Sequence, residues 1–152
     1  KTDFDLLRGH ALDVSEKIVA ALVEHPALQS MDHARIEAVL QEAVHKYLFC
    51  QFIYVVDAKG FKITENVTQP KYREQYSGFG LHEYFDDRDW FKGALAEGGI
   101  YITDFYKSRI TGVLCITVSA PILGEDGEPV GVLGADLNFA ELVRMHESVE
   151  VK

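Results

Sequence analysis

The sequence predicts an α+β domain built on an antiparallel sheet. Three observations predict it: a first third with apolar residues at helical spacing, a later succession of extended segments joined by turn signals, and the lack of the strand-helix alternation that builds a parallel sheet. The 152 residues are 47% hydrophobic and 26% charged, the balance of a globular chain. At this length roughly 68–70% of the unfolded surface is buried on folding, so one core holds the chain without metal or disulfide staples.

Over residues 4–24, Phe4, Leu7, Ala11, Val14, Ile18 and Leu22 recur every three or four positions and mark one stripe of an amphipathic helix, which Pro26 closes. Ser30 or Asp32 caps a second helix with Ile36, Val39, Leu40, Val44 and Tyr47 on its buried side. Residues 49–56 are rich in aromatic and β-branched side chains, and Asp57-Ala58-Lys59-Gly60 turns them into a second extended run over 61–67, a β-hairpin. Residues 68–85 carry Pro70, Gly78, Gly80, Tyr72, Tyr76, Phe79 and Tyr84 and follow neither period; irregular stretches of this length are often functional. Asp86 or Asp87 caps a short helix through Trp90, Phe91, Ala94 and Leu95, and Gly98-Gly99 stops it. Extended segments follow at 100–106, 113–123 and 129–137, the last two joined at Asp126-Gly127, before a closing helix over about 139–147.

Several function classes are excluded by what the chain lacks. Lysine and arginine total 15 against 24 acids, and the net charge of −9 repels phosphate backbones, so nucleic acid is not a partner. The longest apolar run, Phe52-Ile53-Tyr54-Val55-Val56, is strand-sized, and nothing approaches the ~18–20 residues of a membrane span. The chain opens at Lys1 without the apolar stretch of a signal peptide and reads as an excised fragment of a targeted protein. Cys50 and Cys115 match no zinc or redox spacing, no nucleophile elbow or H-E-x-x-H occurs, and Glu42-x-x-His45 lacks the second such pair of a di-iron site. No catalytic residue, metal or cofactor is expected.

The informative segment is Asp86-Asp87-Arg88-Asp89-Trp90-Phe91. A cation in the first turn of a helix is disfavoured by the macrodipole by ~0.3–1 kcal/mol, so Arg88 needs an offset. Either the three neighbouring aspartates supply it, or the guanidinium fork, beside the Trp90 N–H, forms a carboxylate receptor. Asp136 ends the segment Val130-Gly131-Val132-Leu133-Gly134-Ala135-Asp136; alternation puts it on the face of Val132 and Gly134, at the rim of a buried region, unless it caps the last helix.

In order, residues 52–60, Asp87-Arg88-Asp89-Trp90-Phe91, Tyr101-Ile102-Thr103-Asp104-Phe105-Tyr106, Thr111-Gly112, residues 116–122 and Val130-Gly131-Val132-Leu133-Gly134-Ala135-Asp136-Leu137 resemble the extracytoplasmic Cache (PDC) sensor domains of bacterial transmembrane receptors. The resemblance implies a PAS-like five-stranded antiparallel sheet with long N-terminal helices and a C-terminal helix. It implies one single-module sensor over 1–152: a helical part (1–47), the sheet and pocket (48–137) and the C-terminal helix (138–152). In amino-acid-binding members an arginine and tryptophan hold the ligand carboxylate, while tyrosines and a later aspartate surround the ammonium. Arg88, Trp90, Tyr106 and Asp136 match that order. Phe91 stands where that motif has a tyrosine, and Tyr84 only loosely matches an earlier one, so a short organic acid is as fitting a ligand as an amino acid.

The implied function is a non-catalytic sensor of a small carboxylate, lying outside the cytoplasm and flanked by transmembrane helices. The output, whether histidine kinase, chemoreceptor or diguanylate cyclase, stays open, as does a homodimer. PAS-like strand order also separates Cys50 from Cys115, implying free thiols. Two alternatives remain beside the sensor: a dimerisation or interaction module with no small ligand, and a cytoplasmic PAS domain holding haem or flavin.

Overall fold

The computed structural model describes residues 2–138, 140, 141, 143 and 144. Helix α1 (Asp3–Val23) starts in a capping box, with Thr2 accepting from the Asp5 amide and the Asp5 carboxylate accepting in return from the Thr2 amide. Its buried face is Ala11, Ser15, Val19 and Leu22, one step round from the predicted stripe. Ser15 is tolerated there because its hydroxyl donates 2.7 Å back to the Ala11 carbonyl. Pro26 opens a single further turn, α2 (Pro26–Gln29), and Asp32 caps α3 (His33–Lys46) by accepting from the Ala34 amide.

Strand β1 (Cys50–Asp57) matches the predicted strand, but its hairpin partner forms only in part over 61–67. An isolated antiparallel bridge joins Val56 to Lys62, and the short strand β2 (Val67–Thr68) pairs with β1 at Ile53 and Phe52. The reason is side-chain competition for the ladder: the Val55 amide donates to Thr64 Oγ1, and the Asn66 side chain donates to the carbonyls of Tyr76 and Phe79. Residues 61–63 keep only a short bridge to β1, Asp57 N to Phe61 O and Ile63 N to Val55 O, and residues 60–62 also bond to 82–85, through Lys62 N to Glu83 O, His82 N to Lys62 O and Phe85 N to Gly60 O. Gly60 is required at this crossing, since φ is +88° and a Cβ would lie 2.7 Å from the Asp86 amide nitrogen.

The irregular middle contains one short helix, α4 (Pro70–Tyr76). Helix α5 (Asp89–Glu97) is capped by Arg88 rather than by Asp86 or Asp87, and left-handed Gly98 (φ 69°) ends it. The predicted third strand is broken into β3 (Tyr101–Ile102) and β4 (Tyr106–Lys107), because the Thr103 hydroxyl takes the Thr117 amide and lifts 104–105 out of register. The sheet therefore has six strands, not five: β2-β1-β6-β5-β3, with β4 also on β5. The long antiparallel pair β5 (Leu114–Leu123) and β6 (Pro129–Asn138) carries its centre.

One face packs on α1 and α3 through Ile53, Val55, Val118, Leu133 and Leu137, and the other meets α5 through Phe52, Tyr54, Val132 and Trp90. Cys50 and Cys115 are buried and free, on β1 and β5 with β6 between them. Ala140, Glu141, Val143 and Arg144 are helical after β6; the remainder of the predicted closing helix lies outside the described residues.

Candidate functional site

A cavity opens on the α5 face of the sheet, lined by Tyr54, Lys62, Phe85, Arg88, Trp90, Tyr106, Ser108, Arg109, Ile110 and Asp136. The lined space is about 330 Å³ including its open mouth.

Asp136 forms the floor. It is 2% exposed in the middle of the sheet, and its Oδ1 accepts from the Tyr54 hydroxyl at 2.6 Å and the Thr117 hydroxyl at 2.7 Å. Since the Thr117 proton goes to Asp136, the hydroxyl of Tyr106 donates to Thr117 Oγ1, and a directed chain runs Tyr106 to Thr117 to Asp136. Oδ2 has no partner among the described residues and is not sealed from the cavity. Burial pushes the Asp136 carboxyl above its ordinary range, while the hydrogen bonds from Tyr54 and Thr117 and the charges of Lys62 and Arg88 oppose that. Desolvation, with Asp136 adding to it, drives the Tyr54 and Tyr106 phenols up, so both remain donors. Asp136 does not cap the last helix; Asn138 does, accepting from the Glu141 amide at 3.0 Å.

Tyr54 reaches Asp136 because its ring lies across Gly134, its partner on β6, where a Cβ would stand 2.6 Å from the ring. A glycine inside a strand pattern signals such a close approach, and Gly134 was the available sequence clue to Tyr54.

Arg88 is half-buried at the start of α5, and among the described residues no carboxylate lies within ion-pair distance of it. The neighbouring aspartates form no ion pair with it: Asp87, which feels the Arg88 charge, pairs with Arg109 (2.6 Å), and Asp89 accepts from the Tyr101 hydroxyl. The guanidinium carbon sits 5.4 Å over the Tyr106 ring. Trp90 is 4% exposed, edge-on to Tyr54 with ring centroids 5.2 Å apart, and its carbonyl accepts from Ser119, which ties α5 to β5. Its indole N–H makes no hydrogen bond among the described residues.

Lys62 was not singled out by sequence reasoning. It is 2% exposed, its ammonium donates to Asn66 Oδ1 and to the Phe79 carbonyl (3.1 Å), and it lies 4.8 Å over the Tyr54 ring and 5.4 Å over Phe85. Burial lowers its pKa to about 8, against the pull of Asp136 and Glu83.

Arg88, Trp90, Tyr106 and Asp136 thus converge on one cavity. Phe91 and Tyr84 stand outside its lining: Phe91 is buried against Trp90, and Tyr84 is 60% exposed and leans on Phe61. Among the described residues, no group of three or more metal-ligating side chains occurs, and no helix is long and apolar enough to cross a membrane.

The family model described as methyl-accepting chemotaxis protein-like, first PDC sensor domain, matches residues 36–144. A relative from Syntrophus aciditrophicus (strain SB), named Citrate (Re)-synthase, is 34% identical over 148 residues, which are 97% of this chain and 24% of that protein. The ligand-binding domain of the Pseudomonas aeruginosa PAO1 amino acid chemoreceptor PctC, in complex with GABA, superposes with a TM-score of 0.61 and 23% identity over 90% of this chain and 60% of that one. The ligand-binding domain of the Pseudomonas fluorescens chemoreceptor CtaA with L-serine gives a TM-score of 0.64 and 22% identity over 93% and 55%. The chain spans about a quarter of the named relative and no more than 60% of these two solved domains, whose likeness is one of fold.

Proposed function

The chain belongs to the family of methyl-accepting chemotaxis protein-like first PDC sensor domains, and from that premise we propose that it is the extracytoplasmic ligand-binding part of a bacterial membrane signalling receptor, binding a small carboxylate such as an amino acid or short organic acid. The observation that carries this reading is an inward-lying Arg88 guanidinium with no protein counter-ion among the described residues, facing a cavity whose floor is Asp136. The ligand carboxylate pairs with Arg88 and the Trp90 N–H, and its polar substituent meets Asp136 Oδ2 and the Tyr106 side. Charged hydrogen bonds contribute ~1.5–3 kcal/mol each, so two or three with some apolar burial reach the ~8 kcal/mol of micromolar affinity.

Binding reads as the whole activity. No histidine lines the cavity beside a nucleophile, and the Ser108 hydroxyl is occupied by the amides of Ile110 and Thr111. The enzymatic name of the Syntrophus relative belongs to a protein four times longer than the matched stretch.

Transmission is supported by the start of the helix after β6. Asn138, two residues beyond Asp136, accepts from the Glu141 amide and donates to Gln51 on β1, and Glu141 also meets Tyr72 (3.3 Å) and Lys71 (3.8 Å) of α4. Ligand-driven movement of the floor and of the covering segment would thus meet at Glu141. A preference of the ligand for one arrangement by ~1–3 kcal/mol suffices to signal. In this reading 1–47 form the helical part, 48–137 the sheet and pocket, and 138–152 the C-terminal part.

Calorimetry of the chain and of Arg88→Ala against amino acids and short organic acids tests the reading. Micromolar binding that weakens at least tenfold in Arg88→Ala is expected. Binding undiminished in the variant, or no binding by any compound, overturns it.

A further inference from the structure

The cavity's charges do not balance. Its lining holds three cations, Lys62, Arg88 and Arg109, and one carboxylate, Asp136. Arg109 is neutralised at the mouth by Asp87, where the two side chains are 46% and 60% exposed. Lys62 and Arg88 are left against Asp136, one positive charge in excess, or two whenever Asp136 is protonated. Glu83 feels Lys62 but is exposed, where solvent and salt screen it.

Lys62 is the unusual member. Its two acceptors, Asn66 Oδ1 and the Phe79 carbonyl, are neutral, and an ammonium has three N–H groups, so one donor remains beyond those two. No carboxylate lies within ion-pair distance of it among the described residues. A buried charge without a counter-ion is costly, and an anion in the cavity is the means of offsetting it that the geometry leaves open. A neutral zwitterion leaves the imbalance as it was: its carboxylate satisfies Arg88, but its ammonium competes with that of Lys62 for the field of Asp136.

We infer that Lys62 is a specificity-determining residue that makes this pocket select ligands with one more carboxylate than ammonium group over neutral zwitterions. The inference rests on the small-carboxylate reading above. Two kinds of molecule share this chemistry, an acidic amino acid and a carboxylate with no amino group.

The test uses pairs that differ by one charge at nearly constant shape: L-aspartate against L-asparagine, and L-lactate against L-alanine, titrated by calorimetry into the unmodified chain at pH 7 and repeated with Lys62→Met. The anionic member of at least one pair is expected to bind at least tenfold more tightly, the first pair reporting an acidic amino acid and the second a simple acid. Lys62→Met, or Lys62→Gln should Met fail to fold, should cut that preference to below about threefold. Zwitterions that bind as tightly as their anionic partners, with binding still lost in Arg88→Ala, overturn the charge selection and leave the carboxylate sensor standing. A preference unchanged in a folded Lys62 variant overturns the role of Lys62, and no binding by any of the four or by the wider panel overturns both readings.

Discussion

The two faces of this sheet are made by the same strands and behave as different materials. On the α1 and α3 side, Ile53, Val55, Val118, Leu133 and Leu137 are all 0–1% exposed and wholly apolar. On the α5 side, the intervening residues Tyr54, Thr117 and Asp136 are as deeply buried but joined by hydrogen bonds, with Lys62 and Arg88 completing the wall. Alternation at period two lets a single strand, β6, contribute Leu133 and Leu137 to one face and Asp136 to the other. In the proposed reading, the first face holds the fold and the second meets the ligand.

The widest separation between them is expected from Leu133→Ala. Removing this fully buried side chain opens a void in a dry core and should cost ~2–5 kcal/mol, read as a lower urea midpoint, with the affinity of the folded fraction unchanged. A loss of affinity without a loss of stability would erase the distinction between the faces.

Titration sharpens the comparison, because Ile53, Val55, Val118, Leu133 and Leu137 carry nothing to titrate. Lys62 has a folded pKa of about 8 against an ordinary 10.5. Between those values the unfolded chain holds more protons than the native one, so stability rises with pH across that window, by up to ~3 kcal/mol in total. Below about pH 8 Lys62 is charged in both states and its full burial cost is present. The charges that act on it are Asp136 and Glu83, with Arg88 across the cavity. Asp136, shifted upward, acts in the opposite sense on the acid side: stability falls as pH rises from about 3.8 through its folded value. Over the same window as Lys62, Cys50, Cys115, Tyr54 and Tyr106, all held above their ordinary values chiefly by burial, act in the opposite sense. The Lys62 contribution is therefore read as a difference: in urea melts from pH 7 to 10.5 the unmodified chain should gain stability relative to Lys62→Met. Anion affinity should fall over the same range as Lys62 loses its proton.

Helices α1, α3 and α5, the central strands and the order Arg88, Trp90, Tyr106, Asp136 were legible in the sequence because each rests on local periodicity or on a short motif, whereas α2 and α4, of one or two turns, carry no such period. Lys62 was not legible, because its burial depends on residues 60–62 lying between β1 and 82–85 and bonding to both, a pairing no apolar pattern announces. The Thr64 hydroxyl, which takes the Val55 amide, cuts the expected hairpin to that short bridge. The cap of α5 was misplaced for a related reason: an aspartate is the better N-cap by propensity, but Asp87 is drawn to Arg109 on a distant loop, and Arg88 is left at the helix start with its fork uncommitted.

The smallest effect is expected at Tyr84, and it bears on whether the covering segment takes part in recognition. Its ring is 60% exposed, leans on Phe61 at 5.3 Å and does not line the cavity, so Tyr84→Ala should change stability by less than about 0.5 kcal/mol and affinity by less than about twofold. Phe91, buried behind Trp90, marks the other way of standing outside the lining: truncating it should loosen the packing of Trp90 and lower stability before it touches affinity. Should calorimetry show Tyr84→Ala weakening a carboxylate tenfold in a chain that melts normally, the ligand-bound arrangement must fold residues 82–85 inward. Recognition would then extend from the sheet face to the segment that Lys62 holds against it.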